Sequence, residues 1–265
     1  MRKIQIITGA SSGMGREYAL QLSERNVQTE TWLFARREEE LVQVSEEIIS
    51  SSNKSAIVRV FSLDIAGKTG CDSVLKILKA EYKKEPFVVE TLVNNAGFGT
   101  YGTFSDTEIE RQLGMVDINV YTLTALCHYC LEYMKEGSSI INVASLGSFL
   151  PLGNFAVYAA SKAYVLSFTA ALAAELADKK IYVQALCPGP VSTNFANVAS
   201  KGAREKVLHG KNAKKVVQHS LKCMKKKKHF AIMAFKWKFK AFMSHFVGRY
   251  AGARFTFLYC KRPSN

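Results

Sequence analysis

The chain has 265 residues, 48% of them hydrophobic and 22% charged, which suits one large α/β domain with a sizeable core. A strand-like run starts at the N-terminus, without a signal-type apolar segment, and nowhere do about 18 apolar residues run together, so neither a secreted nor a membrane-spanning protein is expected. The net charge of +14 belongs to the last quarter: residues 201–265 hold 18 Lys and Arg against one acidic residue, whereas residues 1–200 hold 18 basic and 21 acidic ones.

Ile4 to Thr8 reads as a buried strand, followed by Thr8-Gly9-Ala10-Ser11-Ser12-Gly13-Met14-Gly15 and a helical pattern from Arg16 onward. Glycines at such a turn let the backbone approach a ligand closely, and the helix N-terminus offers free N–H groups to a pyrophosphate. A strand before the turn and a helix after it make it a dinucleotide site rather than a plain loop. The second strand, Trp32 to Phe34, ends in Ala35-Arg36-Arg37 before a Glu-rich helix. An NAD site wants an acidic residue there, whereas a guanidinium suits the 2′-phosphate of NADP(H), and Arg36 is its expected partner. The alternative is a pair of solvated charges opening the helix.

Ile57 to Leu63 forms a third strand ending at Asp64-Ile65, with a helix over Cys71–Tyr82. Thr91 to Val93 forms a fourth, ending in Asn94-Asn95-Ala96-Gly97, where ligands bind in open parallel sheets. One long helix is expected from about Asp106 to Met134, with Asn119 amid apolar neighbours; by itself such an Asn reads as back-bonded or capping. The six cysteines are scattered, as suits a reducing cytoplasm, and Cys127-His-Tyr-Cys130 lies in an apolar helical stretch without a second ligand pair, so packed thiols and no metal are expected.

Ser138 to Val143 is strand five, and a helix over Tyr158–Leu176 follows the stretch from Ser145. Tyr158 and Lys162 are four apart and share a helix face. An ammonium beside a phenol pulls the phenol pKa down from about 10, preparing it for general acid–base work, and the Ser145 hydroxyl can hold the same substrate oxygen. Tyr-x-x-x-Lys alone is a weak signal; a surface Lys and a half-buried Tyr give the same pattern. Ile181 to Leu186 is strand six, ending in Cys187-Pro188-Gly189-Pro190-Val191-Ser192-Thr193. The alternation predicts a single Rossmann-like, doubly wound parallel sheet with helices on both faces and a basic, aromatic-rich C-terminal helical extension.

The ordered set Gly9-x-x-x-Gly13-x-Gly15, Asp64, Asn94-Asn95-Ala96-Gly97, Asn119, Ser145, Tyr158-x-x-x-Lys162 and Pro188-Gly189 resembles the short-chain dehydrogenase/reductase family over roughly residues 1–195. The resemblance implies an NADP(H)-dependent oxidoreductase, with residues 1–195 as catalytic domain and residues 196–265 as substrate-cleft region, last strand and basic end. It makes Tyr158 the proton donor, Lys162 its pKa-lowering partner and ribose contact, Ser145 the carbonyl-orienting group, and Asn119 part of the proton relay. Cofactor contacts then fall on Gly9, Ser11, Ser12, Gly13, Met14, Arg36, Asp64, Ile65, Asn95, Ala96, Tyr158, Lys162, Val191 and Thr193. Family members often form dimers or tetramers, so a homo-oligomer is expected. The groups expected near the reacting atoms, Phe98, Tyr101, Phe149, Leu150, Leu152 and Phe195, are largely apolar and favour a lipophilic ketone such as a 3-oxoacyl chain or steroid-like ketone. The alternatives are an alcohol dehydrogenase working oxidatively and a non-catalytic dinucleotide sensor or scaffold.

In the basic end, a helix from Asn212 leads to Lys225–Lys228, a final strand over Phe230–Phe235, and a helical run with Phe235, Phe239, Phe242, Met243, Phe246 and Tyr250 at three- and four-residue spacing. Two readings compete. The aromatics pack on the domain or cap the cleft, or residues 225–258 lie on an anionic membrane surface, giving a cytoplasmic protein peripheral on the membrane. No nucleic-acid module is recognisable, so no specific nucleic acid partner is expected.

Overall fold

The computed structural model describes residues 1–52, 55–205, 207, 209–260, 262 and 264. In chain order the elements are β1 (Arg2–Thr8), α1 (Gly13–Arg25), β2 (Glu30–Ala35), α2 (Glu38–Ser51), β3 (Val58–Ser62), α3 (Gly67–Lys84), β4 (Phe87–Asn94), α4 (Ile109–Val116), α5 (Leu123–Leu131), β5 (Ser139–Val143), α6 (Ala156–Glu175) and β6 (Tyr182–Leu186). The last part adds β7 (Val191–Ser192), α7 (Phe195–Ala199), β8 (Lys211–Asn212), α8 (Ala213–Lys225), β9 (Phe230–Ala231), α9 (Phe235–Met243) and α10 (Arg249–Tyr259).

Seven strands form one parallel sheet in the order β3-β2-β1-β4-β5-β6-β9. Its central strands are near-continuous apolar runs, such as Ile4, Ile6 and Ile7 or Ile140, Ile141 and Val143, which is what burial on both faces requires. One face packs against α3, α5 and α6 through Val74, Leu78, Leu126, Val165 and Leu172. The other packs against α1, α2 and α8 through Tyr18, Leu22, Leu41, Ile48, Val216 and Leu221. Strand order reverses between β1 and β4, so a crevice opens at their carboxyl ends. A buried polar chain ties strands to helix across the sheet. Asn94 donates to Asn142 Oδ1 (2.9 Å), and Asn142 donates to Thr169 Oγ1 on α6 (3.0 Å).

Three elements differ from the sequence expectation. The long helix over 106–134 is α4 and α5 joined by a π-helical turn, Asp117–Thr122, which holds Asn119. The last strand, expected over Phe230–Phe235, stops at Ala231. Its partner β6 ends at Leu186, and Pro188 just beyond has no N–H to extend the ladder. The final helical run breaks at Gly248 into α9 and α10.

Among the described residues α6 is the one helix long and apolar enough to cross a membrane; it lies against the sheet beside β6 and carries Tyr158 and Lys162.

Candidate active site

The glycine-rich turn after β1 is built around close backbone contact. Gly9 and Gly13 have φ of 64° and 56°, and a Cβ on Gly15 would lie 2.1 Å from the Gly9 carbonyl oxygen. Asn95 closes the crevice from β4, donating through Nδ2 to the Thr8 and Gly9 carbonyls (3.0 and 3.3 Å), while Thr8 Oγ1 accepts from the N–H groups of Asn95 and Ala96. Across the turn, Thr193 Cγ2 comes within 3.1 Å of a Cβ on Gly13. Val191 lies buried at the same edge, with its carbonyl accepting from Thr193 N–H. Ile65 is buried at the end of β3, where its carbonyl accepts from Thr122 Oγ1 (2.9 Å), and Met14 packs inward on α1.

These residues fit a dinucleotide. No side chain caps α1, whose Ser12 N-cap makes no capping hydrogen bond and whose first turn holds no acid, so its N–H groups and positive dipole end face the turn. Around the turn stand two arginines. Arg36, mostly exposed, pairs with Asp64 at 3.7 Å. Arg37 donates to both Ser11 Oγ and Ser12 Oγ at 3.0 Å and to Glu40 (2.8 Å). Arg36 was the arginine expected at this site; the one that touches the turn is its neighbour, and the Arg36-Arg37 pair in the sequence was the available signal.

The π-helical turn aims Asn119 out of its helix and onto the β4 loop. Its Oδ1 accepts from Phe98 N–H (3.2 Å), and its Nδ2 donates to the Phe98 carbonyl (3.0 Å) and Ser161 Oγ (3.1 Å). Ser161 donates in turn to the Tyr158 carbonyl (2.8 Å), so Asn119 braces the first turns of α6. A π-bulge at such a place is a recurrent feature of functional sites. A Cβ on Gly97 would meet Asn119 Oδ1 at 2.4 Å, which leaves that position to glycine.

Ser145, Tyr158 and Lys162 come together at the carboxyl end of β5. Gly147 lies between Ser145 and Tyr158; a Cβ there would be 3.4 Å from Ser145 Oγ and 3.9 Å from Tyr158 Cε1. Lys162 is buried, donates to the Val143 carbonyl (2.8 Å), and holds its ammonium 5.9 Å from the Tyr158 ring centre. The lowering of the Tyr158 pKa expected from Lys162 is not found. Burial pushes the Tyr158 phenol up to about 12, with the Ser145 side chain working against the rise, and burial pushes Lys162 down to about 8. Desolvation disfavours the charged form of each.

Aromatic rings cover the phenol. Phe155, which the sequence did not single out, stacks on Tyr158, while Phe195 tilts against it with ring centres 5.4 Å apart. Phe98, Tyr101 and Leu152 complete the cluster, whereas Phe149 packs into the main core and Leu150 against Gly252 of α10. Phe155 sits at the N-cap of α6, three residues before Tyr158, a spacing that puts both rings on one face. A cavity of about 350 Å³ opens beside Tyr101, Asn154 and Arg262, next to this cluster. A larger groove of about 800 Å³, between Arg25 and the basic face of α8, holds none of these residues. Cys127 and Cys130 are buried on α5, and burial pushes the Cys127 thiol up to about 12.

The geometry has known counterparts. Residues 3–204 match the short chain dehydrogenase family. The chain is 31% identical over 209 residues to an uncharacterized oxidoreductase of Staphylococcus saprophyticus, covering 77% of this chain and 85% of that one. It is 33% identical over 211 residues to sulfoacetaldehyde reductase 2 of Chromohalobacter salexigens, covering 76% and 78%. Its fold matches a short-chain dehydrogenase from Sphingobium yanoikuyae in complex with NADPH, with TM-score 0.78, 23% identity and 92% and 93% of the two chains covered. It matches equally well a Burkholderia phymatum enzyme in complex with NAD, with TM-score 0.78, 21% identity and the same coverage. A glycine turn shaped for a dinucleotide, the Ser145, Tyr158 and Lys162 grouping and the family match over residues 3–204 lead to one conclusion: this chain belongs to the short-chain dehydrogenase family and is an oxidoreductase that binds a nicotinamide dinucleotide.

Proposed function

We propose that the protein reduces a lipophilic ketone to an alcohol with NADPH. The carrying observation is Tyr158, a buried phenol grouped with Ser145 and Lys162 and covered by aromatic side chains. The crevice would hold the dinucleotide, whose chemistry when bound is hydride transfer. Ser145 Oγ donates a hydrogen bond to the carbonyl oxygen and orients it. The Tyr158 hydroxyl gives its proton to that oxygen as negative charge builds there, and the phenolate left behind is stabilised by the Lys162 ammonium. Asn119 braces the first turns of α6 through Ser161 and stands where the family resemblance puts a member of the proton relay. Gly9, Gly13 and the α1 N-terminus would hold the pyrophosphate, and Val191 and Thr193 would contact the nicotinamide end.

Preference for NADPH rests on Arg37, whose guanidinium donates to Ser11 and Ser12 on the turn where the 2′-phosphate would fall, and on its neighbour Arg36, paired with Asp64. Preference for a lipophilic ketone rests on Phe98, Tyr101, Leu152, Phe155 and Phe195. A bulky-bulky ketone specific alcohol dehydrogenase from Comamonas testosteroni shares the fold (TM-score 0.74, 22% identity, 91% of each chain). One observation favours a second reading, a short anionic aldehyde of the kind named in the Chromohalobacter relative: Arg262 borders the cavity. The test is NADPH and NADH oxidation across 3-oxoacyl thioesters, steroid ketones, aromatic ketones and sulfoacetaldehyde. Turnover of the apolar ketones with NADPH is expected. Preference for sulfoacetaldehyde would install the second reading, and no turnover with any of them would leave a dinucleotide-binding protein without this activity.

A further inference from the structure

The last two helices rest on the rim of the active site and turn most of their aromatic side chains outward. In α9, Trp237 and Ala241 are buried, with Trp237 so close to the loop after β6 that a Cβ on Gly189 would lie 2.4 Å from the indole. At about 100° per residue, Phe235, Phe239 and Phe242 fall within about 60° of one another on the opposite side. They are 83%, 54% and 60% exposed, and Phe246 continues the stripe with its ring 5.3 Å from that of Phe242. The exposed Lys236, Lys238 and Lys240 flank it. In α10, Gly252 packs on Leu150, and Thr256 Oγ1 accepts from Gly153 N–H (2.9 Å), while Tyr250, Phe255 and Tyr259 are exposed.

Of the two readings, packing on the domain and lying on a membrane surface, the outward-pointing stripe favours the second, because folded monomers rarely expose a large contiguous apolar face without an occupant. We propose that α9 and α10 dock the protein on a bilayer surface bearing anionic lipid, the rings entering the boundary between headgroups and acyl chains and the lysines lying among the headgroups. Charge selects this occupant. Residues 201–265 carry 18 basic residues and one acidic one, so a second copy meeting this face symmetrically would bring like charges together. Nucleic acid fits less well, because the rings form a ridge along a helix and not a platform lining a groove.

Docking in this way brings the site to the lipid. The Arg262 guanidinium, just past α10, donates to the Gly153 carbonyl (2.8 Å) and lies 5.4 Å from the centre of the Phe155 ring, which covers Tyr158. Under the ketone-reductase reading, on which this last step rests, a lipophilic substrate reaches the aromatic cluster around Tyr158 from the bilayer side.

Co-sedimentation of the full chain with phosphatidylcholine vesicles, with and without phosphatidylglycerol, tests the docking. The expected result is binding to the anionic vesicles alone, weakened tenfold or more by high salt. The combined exposed substitutions Phe239→Ser, Phe242→Ser and Phe246→Ser, or Lys236→Ser, Lys238→Ser and Lys240→Ser, should weaken it as much while leaving NADPH oxidation with a water-soluble ketone unchanged. Equal binding to neutral vesicles, binding to neither, tighter binding to DNA than to vesicles, or a sedimentation mass that drops in the aromatic variant would each overturn the proposal. Vesicle binding without ketone turnover leaves the surface standing and removes the catalytic reading; turnover without vesicle binding does the reverse.

Discussion

The ring of Phe155 lies flat on the ring of Tyr158, centroids 4.1 Å apart and planes 16° apart. Phe155 is itself held by Tyr101 at 4.8 Å and by the Arg262 guanidinium at 5.4 Å. The C-terminal end of the chain is thus connected through one ring to the proposed proton donor. A substrate that reaches Tyr158 has to share space with Phe155, which makes that ring a determinant of substrate size.

Phe155→Ala should therefore open the site. Removing a buried ring of this size costs about 3 kcal/mol, and water admitted to the gap should bring the Tyr158 pKa down from about 12 toward its ordinary value. The ratio of kcat/KM for bulky over small ketones should rise. An unchanged ratio would place the substrate on another side of Tyr158.

Tyr158→Phe keeps the ring and its stacking and removes the hydroxyl. Turnover should fall about a hundredfold or more, with NADPH binding, followed by nucleotide fluorescence, nearly intact. A variant that keeps wild-type turnover would remove Tyr158 from the proton path.

The two arginines divide the cofactor prediction. Arg36→Ala frees Asp64, and Arg37→Ala frees Ser11 and Ser12; each should weaken NADPH by about 1.5–3 kcal/mol while leaving NADH nearly unaffected. The double variant should come close to equal use of both. Equal loss of NADPH and NADH in either single variant would mean that the residue shapes the turn and does not read the 2′-phosphate.

The sheet was legible in the sequence because its strands are apolar runs ending in glycine, asparagine or proline turns, and each parallel strand needs a helix to cross back. Tyr158, Lys162, Ser145 and the glycine turn were legible for the same local reason, since spacing along one element fixes which side chains share a face. What was not legible depends on pairing between distant segments. Asn119 reads as an ordinary helical Asn until the π-helical turn hands its side chain to Phe98 and Ser161. Phe155 carries no local mark beyond its place before Tyr158. In α9 the periodicity of the aromatics gave the stripe but not its direction. Trp237 and Ala241 decide that, because Gly189 leaves room for an indole and only one side of the helix can meet it. The Tyr158 and Lys162 pKa values likewise follow burial, which spacing does not report.

Lys162 gives the last prediction, in which stability and activity move in opposite directions. Its pKa is pushed down by burial to about 8, against about 10.4 in an unfolded chain. Below pH 8 both states are protonated, and the folded state bears the full cost of a buried ammonium. Between about pH 8 and 10.4 the unfolded chain holds more protons than the folded one, so stability rises with pH across that window. The shift corresponds to roughly 3 kcal/mol at neutral pH, offset in part by about 1 kcal/mol from the hydrogen bond to the Val143 carbonyl. Lys162→Met should therefore be about 2 kcal/mol more stable than wild type at pH 7 in chemical denaturation. That advantage should shrink as pH rises through about 8 to 10.4 and vanish or reverse above that window, where Lys162 is neutral in the folded state and discharging in the unfolded chain, so that the lost hydrogen bond dominates. Turnover should be lost at every pH, and in the wild type reduction should slow as pH rises through about 8, because the ammonium that stabilises the Tyr158 phenolate is then discharged. A methionine variant less stable than wild type at pH 7 would show that the ammonium is not held at a cost.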